Sequence, residues 1–320
     1  MFVQILILLA GLTIILLGAN YLVDGSSAIA RKTGISEFVI GLTIVGIGTS
    51  APEMVVSFIS AAQGNADMAV GNIIGSNIFN TLLILGTTAI ISPLVITKRN
   101  LKLFIPMNII SAVLLIVLGM SGTLFGFGKD VLGRIDGLIL LSLFAYYMYV
   151  SFKGDSQEEG EGEDEEQKNY SNLVSVLMII GGLAGLIIGG KLFVNSGSAI
   201  AKMAGVSDAF IAITVLAGGT SMPELATCVV AAFKGKGQLA LGNILGSNIT
   251  NILLILGGSA LIAPLAVQGI TTVDLGVLLL CSLILLISAY ILGKYKISRA
   301  EGIIMLLIEA GYMTWLISSL

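Results

Sequence analysis

Ten apolar runs, each close to the length of a membrane-spanning helix, divide the chain at residues 2–23, 38–62, 69–92, 103–122, 132–151, 172–194, 209–233, 240–264, 272–292 and 300–318. A spanning helix needs about 20 mainly apolar residues. In lipid a segment must satisfy its backbone hydrogen bonds internally, which apolar runs of this length do as α-helices. The pattern therefore predicts an all-α membrane protein with ten transmembrane helices. Charged residues make up only 11% of the 320, and eight acids crowd into the stretch from Asp155 to Glu166, so the runs themselves are poorer in charge still. Such a chain has no basic face for nucleic acid. Cys228 and Cys281 both lie inside apolar runs and provide neither a disulfide framework nor a thiolate metal site. With no histidine in the sequence, imidazole catalysis, haem ligation and most zinc chemistry are excluded. The first run lacks a basic n-region and a small-residue cleavage site, so it is expected to be a retained helix rather than a signal peptide.

The runs fall into two copies of one unit. Laid over each other at a constant offset of 171, residues Leu22 to Leu94 and Phe193 to Leu265 share 34 identities in 73 positions without a gap. GTSAPE at 48–53 matches GTSMPE at 219–224, and GNIIGSNIFNTLLILG at 71–86 matches GNILGSNITNILLILG at 242–257. The fifth helices correspond through Arg134-Ile-Asp136-Gly137 and Arg299-Ala-Glu301-Gly302, at an offset of 165. A unit of five helices leaves the membrane on the side opposite to its entry, so the second copy is expected to be inserted upside down. Two inverted five-helix repeats are the layout of many secondary transporters. The expected division is 1–151 for the first repeat, 152–171 for an acidic linker and 172–320 for the second repeat. The linker's composition is that of a disordered segment, and it carries no EF-hand spacing.

Orientation follows from basic residues in the short loops. With the N-terminus outside, the cytoplasmic loops hold Arg31, Lys32, Lys98, Arg99, Lys102, Lys153, Lys168, Lys234, Lys236, Lys294, Lys296 and Arg299, twelve in all, against Lys129, Arg134, Lys191 and Lys202 outside. Both termini are accordingly expected outside.

An ionisable group at membrane depth is costly unless paired or bound to an ion. Three carboxylates lie deep in the runs: Glu53, Glu224 and Glu309. Glu53 and Glu224 are equivalent positions of the two copies, which the inversion brings toward the midplane. Glu309 has Phe144 as its counterpart and is left out of the site. Pro52 and Pro223 cannot donate to the carbonyls of Gly48 and Gly219, and Gly46, Gly48, Gly218 and Gly219 let the chain unwind, so free carbonyls are expected near each glutamate. A plain proline kink is the competing explanation, weakened by its repetition. Gly46, Thr49, Ser50 and Glu53 follow i, i+3, i+4, i+7 spacing, as do Ala217, Thr220, Ser221 and Glu224, which would place each set on one helix face. In the next run of each copy, Asn72, Ser76 and Asn80, and likewise Asn243, Ser247 and Asn251, are spaced by four. For Asn72, Asn77, Asn243 and Asn248 helix packing is a strong alternative, because Gly71, Gly75, Gly242 and Gly246 form small-xxx-small pairs beside them. An all-oxygen site with two carboxylates suits calcium or sodium rather than zinc or copper. Two negative charges balance one calcium or two sodium ions, so the two cargoes would exclude each other.

At GTSAPE with GNIIGSNIFN, and GTSMPE with GNILGSNITN, the sequence resembles the cation/calcium exchanger superfamily, and looks closest to its prokaryotic sodium/calcium exchanger-like branch. The resemblance covers nearly the whole chain. It implies a ten-helix fold whose second, third, seventh and eighth helices bind the ions while the first and sixth slide as a gating pair. By position it assigns metal ligands to Glu53 and Glu224, to hydroxyls or carbonyls of Thr49, Ser50, Thr220 and Ser221, to carbonyls of Gly46 and Ala217, and to Ser76, Asn80 and Ser247. Asn251 completes the candidate set and departs from the pattern, since exchangers resembling this one can carry aspartate there. Proton/calcium members show an asparagine-containing motif before the glutamate, whereas both copies here read Thr-Ser, which favours sodium. The expected function is a non-enzymatic antiporter in a prokaryotic cytoplasmic membrane, exchanging calcium for sodium, with those ions and the lipid bilayer as its partners and no cofactor. A proton/calcium antiporter on the same fold and a cation channel lined by the same residues are the alternatives.

Overall fold

The computed structural model describes residues 1–126, 129–153, 170–204, 217–267, 269–292 and 295–318. They form an all-α membrane protein. Its helices are α1 Phe2–Thr33, α2 Glu37–Thr49, α3 Ala51–Ala62, α4 Ala66–Ile91, α5 Asn100–Gly119, α6 Arg134–Phe152, α7 Asn172–Met203, α8 Met222–Phe233, α9 Gly237–Ile262, α10 Thr272–Tyr290 and α11 Arg299–Ser318. Among the described residues eight helices are long and apolar enough to cross a membrane, and nine spans result if the bent pair α2–α3 counts as one. Of the run expected at 209–233, residues 209–216 lie outside the described residues, as do 154–169 of the acidic linker.

Local chemistry sets the helix ends. Ser36 caps α2 by accepting from the Val39 N–H (3.2 Å), and Asn65 caps α4 by accepting from Met68 N–H (3.1 Å). The helix α1 stops at Gly34, whose φ of 70° requires glycine. This first helix and α7 each run 32 residues, some ten beyond the apolar runs 2–23 and 172–194. Their last turns are rich in Ala, Ser and Gly, which lower the hydropathy while still packing as helix. At roughly 48 Å each, they exceed the hydrocarbon thickness.

The two long helices pack antiparallel through small residues. A Cβ at Gly18 would lie 2.8 Å from the Gly182 carbonyl, one at Gly182 2.7 Å from the Gly18 carbonyl, and one at Gly189 2.9 Å from the Gly11 carbonyl. Gly11 and Gly182 are sequence equivalents, as are Gly18 and Gly189, so each position of one copy meets the other's counterpart. The same reciprocity governs two short antiparallel strand pairs. Leu94–Val95 (β1) pairs with Lys296–Ile297 (β4), and Val131–Leu132 (β2) with Leu265–Ala266 (β3). Each joins the segment after one copy's third helix to the segment before the other copy's fifth. Beside them, Gly302 abuts the Gly86 carbonyl and Gly137 the Gly257 carbonyl, again equivalent pairs. The two copies are therefore interlocked rather than laid side by side.

At the centre, α9 is enclosed almost throughout and α4 over most of its length, while α1, α6 and α11 leave broad apolar faces exposed to lipid. Close approach of α9 to α2 depends on glycine: a Cβ at Gly242 would overlap the Phe38 carbonyl, and one at Gly246 the Leu42 carbonyl. Backbone cannot yield there as a side-chain tip could. Gly246→Ala should therefore destabilise the protein by about 1–3 kcal/mol, whereas Gly181→Ala, whose Cβ would meet nothing within 4 Å, should be neutral. Thermal unfolding of both variants in detergent checks this; indistinguishable melting temperatures would show that the contact is not needed.

Candidate cation-binding site

Ser50 and Ser221 have backbone angles outside the helix region (φ −79°, ψ 7° and φ −87°, ψ 8°), and each breaks its span. At Ser50 the bend between α2 and α3 is 47°. Pro52 and Pro223 stand in the first turn of the new helix, where the missing N–H is no loss. Glu53 and Glu224 thus occupy the first turn of α3 and α8 rather than a mid-helix position. Free N–H groups and the helix dipole favour a negative charge there.

The hydrogen bonds of the two serines run between the copies. Ser50 Oγ donates to Glu224 Oε1, and Ser221 Oγ donates to Glu53 Oε1, both at 3.0 Å. Each serine serves the other copy's carboxylate. Longer donations arrive from the following helix of the same copy, Ser76 to Glu53 Oε1 (3.5 Å) and Ser247 to Glu224 Oε1 (3.4 Å). Both glutamates are 1% exposed. Among the described residues neither pairs with a lysine or arginine, and no group of three or more His, Cys, Asp or Glu converges.

The remaining candidates divide into oxygens already engaged and oxygens left over. The Gly46 carbonyl, which the resemblance assigns to the cation, accepts from Ser50 N–H (3.2 Å), Ser247 Oγ (3.3 Å) and Thr49 Oγ1 (3.4 Å). Thr49 Oγ1 also donates to Asn243 Oδ1 (3.1 Å). Ala217 opens the helical turn Ala217–Thr220. Buried without a hydrogen-bond partner are Glu53 Oε2, Glu224 Oε2, Asn80 Oδ1, Asn251 Oδ1 and Thr220 Oγ1. The first four are two equivalent pairs, and an acceptor buried unpaired costs about 1–3 kcal/mol, more when charged. A hard cation would satisfy this set, whose ligands are all oxygen.

Asn72 and Asn243, for which packing competed with ligation, brace the site through equivalent relays. Asn72 Nδ2 donates to Ser57 Oγ (3.0 Å) and to the Glu53 carbonyl (3.3 Å), and Ser57 Oγ donates to the Ala69 carbonyl (3.2 Å). In the other copy Asn243 Nδ2 donates to Cys228 Sγ (3.2 Å), and that thiol to the Ala240 carbonyl (3.7 Å). Neither Ser57 nor Cys228 was connected with the site in sequence; their spacing from the glutamates is equal, but serine against cysteine hides the equivalence. The two ends of the site differ in access: Gly75 is exposed and Asn72 half-buried, whereas their counterparts Gly246 and Asn243 are buried. Glu309 is buried with Oε2 unpaired and takes no part in this cluster.

The family model described as sodium/calcium exchanger protein matches residues 3–153 and 174–318. The chain belongs to the sodium/calcium exchanger family. It falls in the prokaryotic branch of the cation/calcium exchanger superfamily. Sodium/calcium exchanger MaX1 of Methanosarcina acetivorans is 34% identical over 97% of both chains. Inner membrane protein YrbG of Escherichia coli is 32% identical over 97% of this chain and 94% of its own. A solved structure of the sodium-calcium exchanger NCX_Mj, soaked with 10 mM Na+ and 10 mM Sr2+, superposes with a TM-score of 0.83 at 33% identity, covering 100% of this chain and 99% of the other. This exchanger-family chain is thus a multi-pass cation/calcium antiporter and not an enzyme.

The crossed serines make a specific energetic prediction. In a double-mutant cycle read by unfolding in detergent, Ser50→Ala should couple to Glu224→Ala by about 1 kcal/mol and to Glu53→Ala by much less. Equal coupling in the two pairings would refute the crossed arrangement.

Proposed function

We propose that this antiporter exchanges calcium for sodium by alternating access, with Glu53 and Glu224 as the ligands both cargoes share. The single observation that carries the reading is the set of unpaired buried oxygens, two carboxylate and two amide, drawn equally from the two copies. Thr49, Ser50, Thr220, Ser221, Ser76, Ser247 and the carbonyls of Gly46 and Ala217 complete the shell. Ten spans in two inverted repeats, 1–151 and 172–320 with the linker 152–171 between them, carry the site. The reciprocal glycine contacts and strand pairs are the pattern such a symmetry produces. Both termini lie outside a prokaryotic cytoplasmic membrane, by the twelve-to-four distribution of basic residues in the loops.

Two fixed charges in a buried site hold one calcium or two sodium ions near neutrality. The Thr-Ser pair ahead of both glutamates supports sodium over protons as the counter-ion. Under this orientation the exposed end, at Gly75 and Asn72, faces outward.

Reconstituted in liposomes, the protein should take up calcium under an outward sodium gradient and not under an outward proton gradient at matched membrane potential, as followed with an internal calcium dye. Uptake driven by protons alone would overturn sodium coupling. Replacing Glu53 or Glu224 by alanine should reduce sodium-driven uptake to the level of empty liposomes and weaken calcium binding by roughly 100-fold, the consequence of about 3 kcal/mol lost with a buried charged partner. Robust flux in both variants would remove the glutamates from the site.

A further inference from the structure

Two asparagines next to the site do more than fill space. Asn77 and Asn248 are equivalent residues of α4 and α9, three positions before Asn80 and Asn251. Asn80 Nδ2 donates to Asn248 Oδ1 (3.1 Å), and Asn251 Nδ2 donates to Asn77 Oδ1 (3.0 Å). The bonds cross between copies, as the serine–glutamate bonds do. The crossing amides are themselves held: Asn77 Nδ2 donates to the Asn248 main-chain carbonyl (3.1 Å), and Asn248 Nδ2 to Thr81 Oγ1 (3.0 Å). All four asparagines are at most 2% exposed.

An amide can turn over, exchanging its oxygen for its NH2 at nearly unchanged shape. For a cation the exchange is decisive, because the oxygen is a ligand and the NH2 group repels. With its NH2 occupied by the opposite copy's asparagine, each site amide is left with Oδ1 unpaired, and the oxygens of both Asn80 and Asn251 are so. Both asparagines also begin a stretch of wider helix, Asn80–Leu85 and Asn251–Leu256. There the backbone departs from the regular ladder, and side-chain bonds carry more of the burden of fixing geometry.

We propose that Asn77 and Asn248 are positioning residues, each clamping the amide of the other copy's site asparagine so that its oxygen is presented to the cation. The clamp matters more here than in a site with aspartate at 251, since a carboxylate presents oxygen whichever way it turns. The proposal rests on the reading that Asn80 and Asn251 are cation ligands.

Purified full-length Asn248→Leu, Asn248→Asp and Asn80→Ala are compared with the unsubstituted protein for calcium affinity by titration calorimetry, and for half-saturating calcium and maximal rate in liposomes. Leucine matches asparagine in shape but offers no acceptor. It should weaken calcium binding about 10- to 100-fold, the usual effect of removing an outer-shell partner, with a smaller change in maximal rate. Aspartate keeps the acceptor for Asn80 Nδ2, and the Thr81 hydroxyl can turn to donate to it, so Asn248→Asp should bind calcium near the unsubstituted level. Packing alone would reverse that order, favouring leucine over a buried charge, and such a result overturns the proposal. Asn248→Leu binding calcium normally while Asn80→Ala binds weakly would also overturn it while leaving the ligand reading intact. Normal binding by Asn80→Ala would remove the ligand reading itself. If Asn248→Leu does not fold, the same comparison at Asn77, the acceptor for Asn251, decides the matter.

Discussion

Two carboxylates buried at membrane depth, with no basic partner among the described residues, are the constraint that organises this molecule. Burying an isolated charge costs several kcal/mol even after relaxation, and the protein reduces that cost by devices visible in the backbone. Proline and glycine convert the middle of a span into the start of a helix, so Glu53 and Glu224 meet free N–H groups and the positive end of a dipole. Serine hydroxyls from both copies then supply each carboxylate with two donations to Oε1 and none to Oε2. The compensation is partial, and the oxygens left over are those a cation would complete.

The crossed pattern explains why duplication suits such a site. Had each carboxylate been served by its own copy, the two halves would be independent and an ion could bind to one without the other. Here Ser50 and Ser221 exchange partners, as do the asparagine amides, so neither copy's half is complete alone. The glycine contacts of α1 with α7 and the paired strands obey the same rule at the periphery. Contacts from surface to centre thus tie the two copies together around the shared cluster.

Much of this was legible in the sequence, and the rest was hidden for definite reasons. Long apolar runs and a gapless 73-residue alignment need no tertiary information, so the membrane class and the duplication could be read directly, and Glu53 and Glu224 stood out as the matched buried acids. Spacing at i, i+3, i+4, i+7 gathers Ser50 and Glu53 into one set but does not tell that the Ser50 hydroxyl, at a 47° bend, donates to the opposite copy's glutamate. The apolar runs also end short of α1 and α7, whose small and polar last turns remain helical. Sequence sets Asn80 and Asn251 apart from Asn72, Asn77 and their counterparts, beside which packing competes, but not Asn72 from Asn77. Asn72, Asn77 and Asn80 are equally repeated, and what separates them is which neighbour across the interface accepts their hydrogen bonds.

Two ion pairs, one to α1 and one to α2, depart from the internal symmetry. Lys234, beyond the end of α8, pairs with Asp24 of α1 at 2.6 Å, and Lys236 with Glu37 at the start of α2 at 3.0 Å. The equivalents of Lys234, Lys236 and Asp24 are Gln63, Asn65 and Asn195, none of them charged. The two ion pairs therefore cannot recur at the equivalent positions of the other copy. Half-exposed pairs of this kind contribute only about 0.2–1 kcal/mol each. That scale suits the alternating access proposed above, because a gap of a few kcal/mol between two arrangements already leaves the minor one scarcely populated. In the exchange cycle proposed above, ties this weak at α1 and α2 leave ion occupancy to decide between the two arrangements.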